Sequence, residues 1–215
     1  IKYTGSGAIA SSLGMDKAAS KEIAKRNGIE TPDWQLIQKA TQKVKISLPF
    51  VVKPNDQGST VGLSIVKNDK FIQSAIDLAF QHGNKVIIEK FISGRELTMP
   101  IINEDAYPIV EINPKNNYYD YECKYTPGMS EYSCPADLEQ NLVEKIESNT
   151  IKLFQKFDCS VYARADYILD KSGVPYFLEM NTLPGMTSTS LVPKSAYARG
   201  QSFQKLIRYI IELSL

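Results

Sequence analysis

Residues 161–181 of the chain, VYARADYIL-DKSGV-PYFLEMN, predict a β-hairpin. Apolar and polar residues alternate over 161–169 and again over 175–181, which is the period of a strand with one buried face. Between the two runs lies Asp170-Lys171-Ser172-Gly173, a set of residues typical of a tight turn. The segment TLPGMTSTSL follows directly over 182–191. This hairpin and the loop after it are the most informative part of the sequence.

The alternation groups polar side chains on one face of the hairpin. Arg164 and Asp166 share a face of the first strand, and Glu179 and Asn181 share a face of the second. The turn brings the two pairs opposite each other, to within about one register step. The residues expected to point the other way, into the core, are Ala165, Tyr167, Leu178 and Met180.

Such a face predicts a site for a hard cation beside an anion. Carboxylate and amide oxygens suit Mg²⁺ or Mn²⁺, and an arginine can neutralise charge that develops nearby. A surface salt bridge between Arg164 and a neighbouring acid is the alternative. The loop over 182–191 favours the site, because its backbone N–H groups and hydroxyls come directly after the carboxylates, as an oxyanion site requires.

The other patterned segments predict an α+β fold with mostly antiparallel sheet. Asp16 or an earlier residue caps a first helix that ends at Gly28, Asp69 caps a second that ends at Phe80, and a capping box at Asp137 and Gln140 opens a third that ends at Phe157. A last amphipathic helix begins near Ser202. The remaining expected strands cover 34–37, 50–54, 61–66, 85–90, 95–102 and 107–112.

Composition excludes several classes of function. The 215 residues carry a net charge of +1, so no basic field attracts nucleic acid or an anionic membrane. No apolar run is long enough to span a membrane. The single histidine, His82, leaves little room for imidazole catalysis, and three cysteines without CxxC spacing argue against a disulfide framework or a thiolate metal site.

Two glycine-rich segments could bind phosphate. Residues 5–10, GSGAIA, match a dinucleotide fingerprint but follow only four residues, too few for the strand that this motif requires. Residues 58–62, GSTVG, lack the Lys of a P-loop, yet they connect two strands after Lys53 and could fold over phosphates. Residues 89–92, with Glu96 beyond them, could hold an adenosine, although an exposed strand end is an equally simple interpretation.

Taken in order, these segments resemble the D-alanine–D-alanine ligase family of the ATP-grasp superfamily. The resemblance extends from YTGSG at 3–7 to the last helix. It is carried by the segments MDKA at 15–18, VKP at 52–54, GSTVG at 58–62, EKF at 89–91, GRE at 94–96, YDYECKY at 119–125, RAD at 164–166 and LEMNTLPGMT at 178–187. The last of these is very specific. An ATP-grasp fold of two α+β subdomains is implied, with the phosphate-covering hairpin at 50–66 inside residues 1–96 and the metal and acceptor site inside 97–215.

The resemblance also implies a role for each matching residue. The nucleotide would contact Lys17, Lys53, Ser59, Thr60, Glu89, Lys90, Ile92, Glu96 and Lys124, with Glu96 at the ribose. Two Mg²⁺ (or Mn²⁺) ions would be held by Asp166, Glu179 and Asn181. Catalysis would involve Arg164, the Gly185 backbone N–H, Ser59 and Tyr125, and the acceptor D-alanine would meet Ser190 and Leu191.

The implied reaction joins two D-alanines through an acyl phosphate, with ATP as the phosphoryl donor, for peptidoglycan synthesis in a bacterial cytoplasm. Family members carry a further domain before residue 3, so we expect this chain to be the central and C-terminal portion of a homodimeric enzyme and to be nearly inactive alone. Neither nucleic acid nor membrane is an expected partner. A ligase that uses D-lactate or D-serine as acceptor, and an inactive nucleotide-binding fragment, remain the alternatives.

Overall fold

The computed structural model describes residues 2–114, 130–187 and 189–215. The helices and strands of the first half are α1 Ala8–Met15, α2 Lys17–Arg26, β1 Trp34–Ile37, β2 Phe50–Pro54, β3 Ser64–Val66, α3 Ile72–Phe80, β4 Val86–Lys90 and β5 Gly94–Ile102. Those of the second half are β6 Asp105–Ala106, β7 Val110–Pro114, β8 Ser130–Ser133, α4 Gln140–Lys156, β9 Tyr162–Asp170, β10 Pro175–Asn181, α5 Leu191–Ala198 and α6 Phe203–Leu213. The α+β expectation is confirmed, and every strand pair among the described residues is antiparallel.

The smaller sheet has four strands in the order β1-β4-β2-β3. Its central strands β2 and β4 are mostly apolar, because one face is covered by α3. Phe50, Val52 and Ile88 from these strands pack with Ile76 of α3 in one core that includes no residue of the larger sheet. This sheet carries Lys53 and Glu89 near its strand ends.

The larger sheet has the strand order β10-β9-β5-β7-β8, with β6 paired to β5 at its side. The predicted hairpin is confirmed as β9 and β10. Its inward residues Tyr167 and Phe177 stack edge to face, and Phe177 meets Phe157 in the same way, at the end of α4. A strand with two long neighbours is fixed in register, so β9 is a rigid platform for the polar residues on its other face.

Helices α1 and α2 pack on the larger sheet, although they precede the smaller one in sequence. Ala24 and Ile29 belong to the core of the larger sheet, and Gly14 lies so close to β10 that a Cβ there would be 2.8 Å from the Met180 carbonyl oxygen. The division into subdomains 1–96 and 97–215 remains a prediction. The chain passes from the smaller sheet to the larger one between β4 and β5, at residues 90–94.

Helix ends show where sequence rules hold and where they do not. Asp16 caps α2 by accepting a hydrogen bond from the Ala19 N–H (2.9 Å), as predicted. The predicted Asp69 cap is wrong, because Asn68 caps a 3₁₀ turn that precedes α3. The predicted capping box at Asp137 is also wrong: α4 begins three residues later, after Glu139, without a side-chain cap. No helix in the described ranges is long and apolar enough to cross a membrane.

Candidate active site

A cavity of about 210 Å³ opens between the two sheets. The smaller sheet contributes its central strand ends and the loop after β2, and the larger sheet contributes the polar face of β9 and β10. The lining residues that sequence analysis selected are Lys17, Lys53, Ser59, Thr60, Glu89, Lys90, Ile92, Glu96, Arg164, Asp166, Glu179 and Leu191. Asn181, Gly185 and Ser190 are not among the residues that line it.

The hairpin places its two acids side by side. Glu179 lies opposite Asp166 in the β9–β10 register, and Asn181 lies opposite Arg164, which confirms the predicted juxtaposition. One prediction for this hairpin is wrong: Leu178 lines the cavity and does not point into the core. The register shifts between Phe177 and Glu179, so Leu178 is the extra residue of a β-bulge.

Asp166 is held in place by two neighbours. Arg164 donates from Nε to Oδ1 (2.8 Å) and from a terminal nitrogen to Oδ2 (2.7 Å), a bidentate pair. The buried Thr98 hydroxyl donates to Oδ1 at 2.5 Å from the neighbouring strand β5. A carboxylate oxygen has two lone pairs, so Oδ1 is filled by these bonds, whereas Oδ2 accepts one hydrogen bond and keeps a second lone pair.

Lys17 joins Glu179 to the loop after β2. It is the first residue of α2 and is 5% exposed, and its Nζ lies 3.6 Å from Glu179 Oε2 and donates to the Gln57 carbonyl at 2.6 Å. Burial lowers the pKa of Lys17, and the attraction of Glu179 opposes that effect. The side chain therefore offers a poorly hydrated positive charge at the point where the loop and the hairpin meet.

Glu89 sits between two lysines. One carboxylate oxygen pairs with Lys53, which lines the cavity, and the other pairs with Lys21 at 2.8 Å. Burial alone would raise the pKa of Glu89, but the attraction of Lys21 and Lys53 dominates and lowers it from 4.5 to about 2. Glu89 was predicted to line the adenine site, and its carboxylate also fixes Lys53.

The loop between β2 and β3 covers one side of the cavity. Ser59 and Thr60 adopt φ of 54° and 67°, a left-handed conformation that costs energy in residues other than glycine. The buried Asn55 side chain ties the start of this loop to α2 by accepting from the Ala18 N–H (3.0 Å). The predicted strand over 61–66 is accordingly shorter and begins at Ser64.

The apolar end of the cavity follows β4. Ile92 and Glu96 come after β4 and line the cavity, as do the apolar residues Leu97, Ile112 and the bulged Leu178. The backbone N–H of Lys90 donates to the Asp33 carbonyl (2.8 Å), and that of Phe91 donates to the Pro49 carbonyl (3.1 Å). Because these two N–H groups already donate to the protein backbone, an adenine would have to form hydrogen bonds with other backbone groups of 89–92.

The loop after β10 packs closely on the start of α5. A Cβ at Gly185 would lie 2.9 Å from the Ser190 hydroxyl, so a larger residue there would displace that hydroxyl. Ser190 in turn accepts a hydrogen bond from the Thr187 N–H (3.0 Å). The Asn181 amide oxygen accepts from the Leu183 N–H (3.2 Å). Gly185 and Ser190 are therefore neighbours, and their roles at the oxyanion and at the acceptor remain predictions.

Lys124 and Tyr125 lie outside the described residues. Within the part of the chain that the structure describes, no group of three or more His, Cys, Asp and Glu side chains has a metal-binding arrangement; the predicted set instead combines two carboxylates with an amide. Sequence analysis missed Lys21, Thr31 and Thr98. The four-residue spacing from Lys17 could have identified Lys21, because it places both lysines on one face of α2.

The cavity is enclosed by two antiparallel sheets and lined by lysines and acids, and the loop between β2 and β3 covers one side of it. This arrangement is that of an ATP-grasp fold. The match at the level of family is specific: residues 9–212 fit the family described as D-ala D-ala ligase C-terminus. The chain belongs to the D-alanine–D-alanine ligase family.

Known proteins similar to this chain are named after the same family. It is 42% identical over 214 residues to a D-alanine–D-alanine ligase from Syntrophotalea carbinolica, a match that covers 98% of this chain and 70% of the relative. It is 43% identical over 220 residues to D-alanine–D-alanine ligase B from Clostridium perfringens, which covers all of this chain and 72% of the relative. The chain thus spans about 70% of the length of these relatives.

Solved structures agree. A Bacillus anthracis D-alanine–D-alanine ligase complexed with ATP matches all of this chain and 70% of its own, with a TM-score of 0.86 and 37% identity. The VanG D-Ala:D-Ser ligase from Enterococcus faecalis matches 99% of this chain and 65% of its own, with a TM-score of 0.87 and 27% identity.

Proposed function

We propose that this chain supplies the ATP-binding and metal-binding part of an enzyme that joins two D-alanines into D-alanyl-D-alanine. The observation that carries the proposal is the cavity in which the paired acids Asp166 and Glu179 face Lys17 and Lys53. Membership of the D-alanine–D-alanine ligase family supports the choice of substrate. The enzyme would act in peptidoglycan synthesis in the bacterial cytoplasm, as a homodimer.

The lysines are suited to the phosphates of ATP. Lys17 and Lys53 are buried and approach the cavity from different elements, so they can contact a polyphosphate from two sides. Ser59 and Thr60 face it from the covering loop, and Lys124 would add a third lysine. Ile92 and Leu178 are apolar lining residues that would accommodate a planar base, and Glu96 would lie near the ribose.

The donor set fits Mg²⁺ or Mn²⁺. Asp166 keeps one lone-pair direction on Oδ2, and Glu179 lies beside it in register; both are hard oxygen donors, and Asn181 is the third. Asp166, Glu179 and Asn181 would hold the two expected ions, which would supply positive charge against the phosphates. We therefore assign Asp166, Glu179 and Asn181 to metal binding.

In the first chemical step, a D-alanine carboxylate oxygen attacks the γ-phosphorus of ATP, the bond to the bridging oxygen breaks, and ADP leaves. Lys17 and Lys53 hold the phosphates in line for this attack. The amine of the second D-alanine then attacks the acyl carbon, loses a proton, and inorganic phosphate departs. Arg164 and the Gly185 N–H would stabilise the oxyanion that forms, while Ser59 and Tyr125 orient the substrates.

The acceptor site is assigned to Ser190 and Leu191. Leu191 lines the cavity, and Ser190 lies against Gly185 at the start of α5. D-Serine is the second candidate acceptor, because a D-Ala:D-Ser ligase has the same fold. The higher identity to the D-alanine ligases favours D-alanine.

Calorimetric titration of the chain with ATP, with and without Mg²⁺, tests the proposal. We expect Mg²⁺-dependent binding in the wild type and a loss of most of that dependence in Glu179→Gln. Glu111→Gln is the matched control, because Glu111 is a strand carboxylate of the same sheet whose partner is Arg95. Absence of ATP binding by the wild type would reject the proposal. ADP release by the natural protein with D-alanine or D-serine then identifies the acceptor.

A further inference from the structure

We infer that Lys21 is a positioning residue, which holds Lys53 in place through Glu89 and anchors this pair to the strand that carries Glu179. The inference rests on the proposed function, because it concerns the lysine assigned to the ATP phosphates. Lys21 itself does not line the cavity, so it acts through its partners.

A continuous series of buried polar contacts carries the inference. The Thr31 hydroxyl donates to the Phe177 carbonyl at 2.8 Å, and Lys21 donates to Thr31 at 2.9 Å. Lys21 also pairs with Glu89, which pairs with Lys53. The series begins on β10 beside the bulge and ends at the cavity.

The series joins the two sheets. Phe177 lies one residue before the bulged Leu178 and two before Glu179, on the larger sheet, whereas Glu89 and Lys53 belong to the smaller sheet. The Phe177 N–H also donates to the Glu30 carbonyl (2.7 Å), so the segment that carries Thr31 is fixed to β10 by two hydrogen bonds. Lys21 thus sets the distance between the phosphate lysine and the metal-binding carboxylates.

Burial prevents water from replacing the partners of Lys21 and Glu89. Lys21 has no exposed surface and Glu89 is 3% exposed, so neither can exchange its partner for bulk water. A buried charge is retained only when it is paired and hydrogen-bonded. Without Lys21, Glu89 would have one cationic partner, and that partner would be Lys53. Glu89 would then lose the contact that fixes its position, and Lys53 would lose a fixed anchor.

Binding of ATP and of adenosine to the chain, measured by calorimetry with Mg²⁺, separates positioning from general destabilisation. For Lys21→Met we expect an affinity for ATP about tenfold weaker, because the buried ion pair that anchors Glu89 is lost. The affinity for adenosine, which lacks phosphates, should stay within about twofold of the wild type, since a tenfold change corresponds to one lost contact. Lys25→Met is the matched control, because Lys25 lies one turn further along α2 and is exposed.

The double variant Lys21→Met/Glu89→Gln covers the case in which the single variant fails to fold. It leaves no unpaired buried carboxylate, so it should fold. Relative to the wild type, its affinity for ATP should fall by a larger factor than its affinity for adenosine. Recovery of wild-type ATP affinity in the double variant, or equal losses for ATP and adenosine in Lys21→Met, would overturn the inference. A wild type that binds no ATP would instead reject the proposed function.

Discussion

The buried Glu89 carboxylate should make the stability of this protein depend on pH in a way that one substitution removes. Glu89 has an ordinary pKa of 4.5 in the unfolded chain and a pKa of about 2 in the folded one. A group whose pKa is lowered by folding stabilises the fold above its unfolded pKa. That contribution is lost as the pH falls toward the folded pKa.

The magnitude follows from the two pKa values. At 1.36 kcal/mol per pH unit, the depression from 4.5 to about 2 corresponds to about 3 kcal/mol of unfolding free energy near neutral pH. The carboxylate is buried, so solvent does not screen this contribution. Between pH 6 and pH 3 about 2 kcal/mol of it should disappear, since most of the unfolded but little of the folded Glu89 is protonated at pH 3.

Urea unfolding of the wild type and Glu89→Gln at several pH values between 6 and 3 measures this contribution. Glu89→Gln removes the titrating group, so the difference in unfolding free energy between the two proteins should become smaller as the pH falls. Glu22→Gln is the control, because the Glu22 side chain is about half exposed and pairs with the exposed Arg26 one turn along the helix. Parallel pH profiles for the wild type and Glu89→Gln would refute the assignment of a buried, ionised Glu89.

Two further predictions concern the larger sheet. Thr98→Val should weaken Mg²⁺-dependent ATP binding, because it removes the 2.5 Å hydrogen bond to Asp166. Thr98→Ser keeps a hydroxyl and should bind ATP like the wild type. Equal calorimetric affinities for the two variants would contradict this prediction. Gly94→Ala should lower stability by about 1–3 kcal/mol, because a Cβ there would overlap the Leu169 carbonyl of β9, and an unchanged melting temperature would show that the strands separate without cost.

The sequence was sufficient for elements whose signals are local. The hairpin of β9 and β10 was predicted from alternation and turn residues, and Asp16 from the preference for Asp at a helix start. The Asp69 cap was wrong because Asn68 has the same chemistry one residue earlier, and only the 3₁₀ turn decides between them. Helix α5 was missed because it begins inside a loop rich in Pro, Ser and Thr.

Interactions between distant segments could not be read from the pattern. Leu178 was assigned to the core by strict alternation, but Phe177 and Met180 are both buried, and a strand can bury two residues three apart only with a bulge between them. The partnership of Lys21 with Glu89 joins residues 68 positions apart in sequence. The roles of individual site residues came from the family resemblance, and the geometry now explains the positions of the described ones.

Glu89 and Glu179, two of the four acids that line the cavity, differ in how readily they can exchange a cationic partner. The Glu89 side chain is 4% exposed and is held by two lysines, so it cannot give up either without leaving a buried charge. The Glu179 side chain is 34% exposed, and its contact with Lys17 spans 3.6 Å, longer than a charge-assisted hydrogen bond. Glu179 can therefore exchange Lys17 for another cation at little cost, which would leave Lys17 to face the phosphates. Burial, the number of lysine partners and the contact distance thus separate a permanent support for Lys53 from an exchangeable ligand at Glu179.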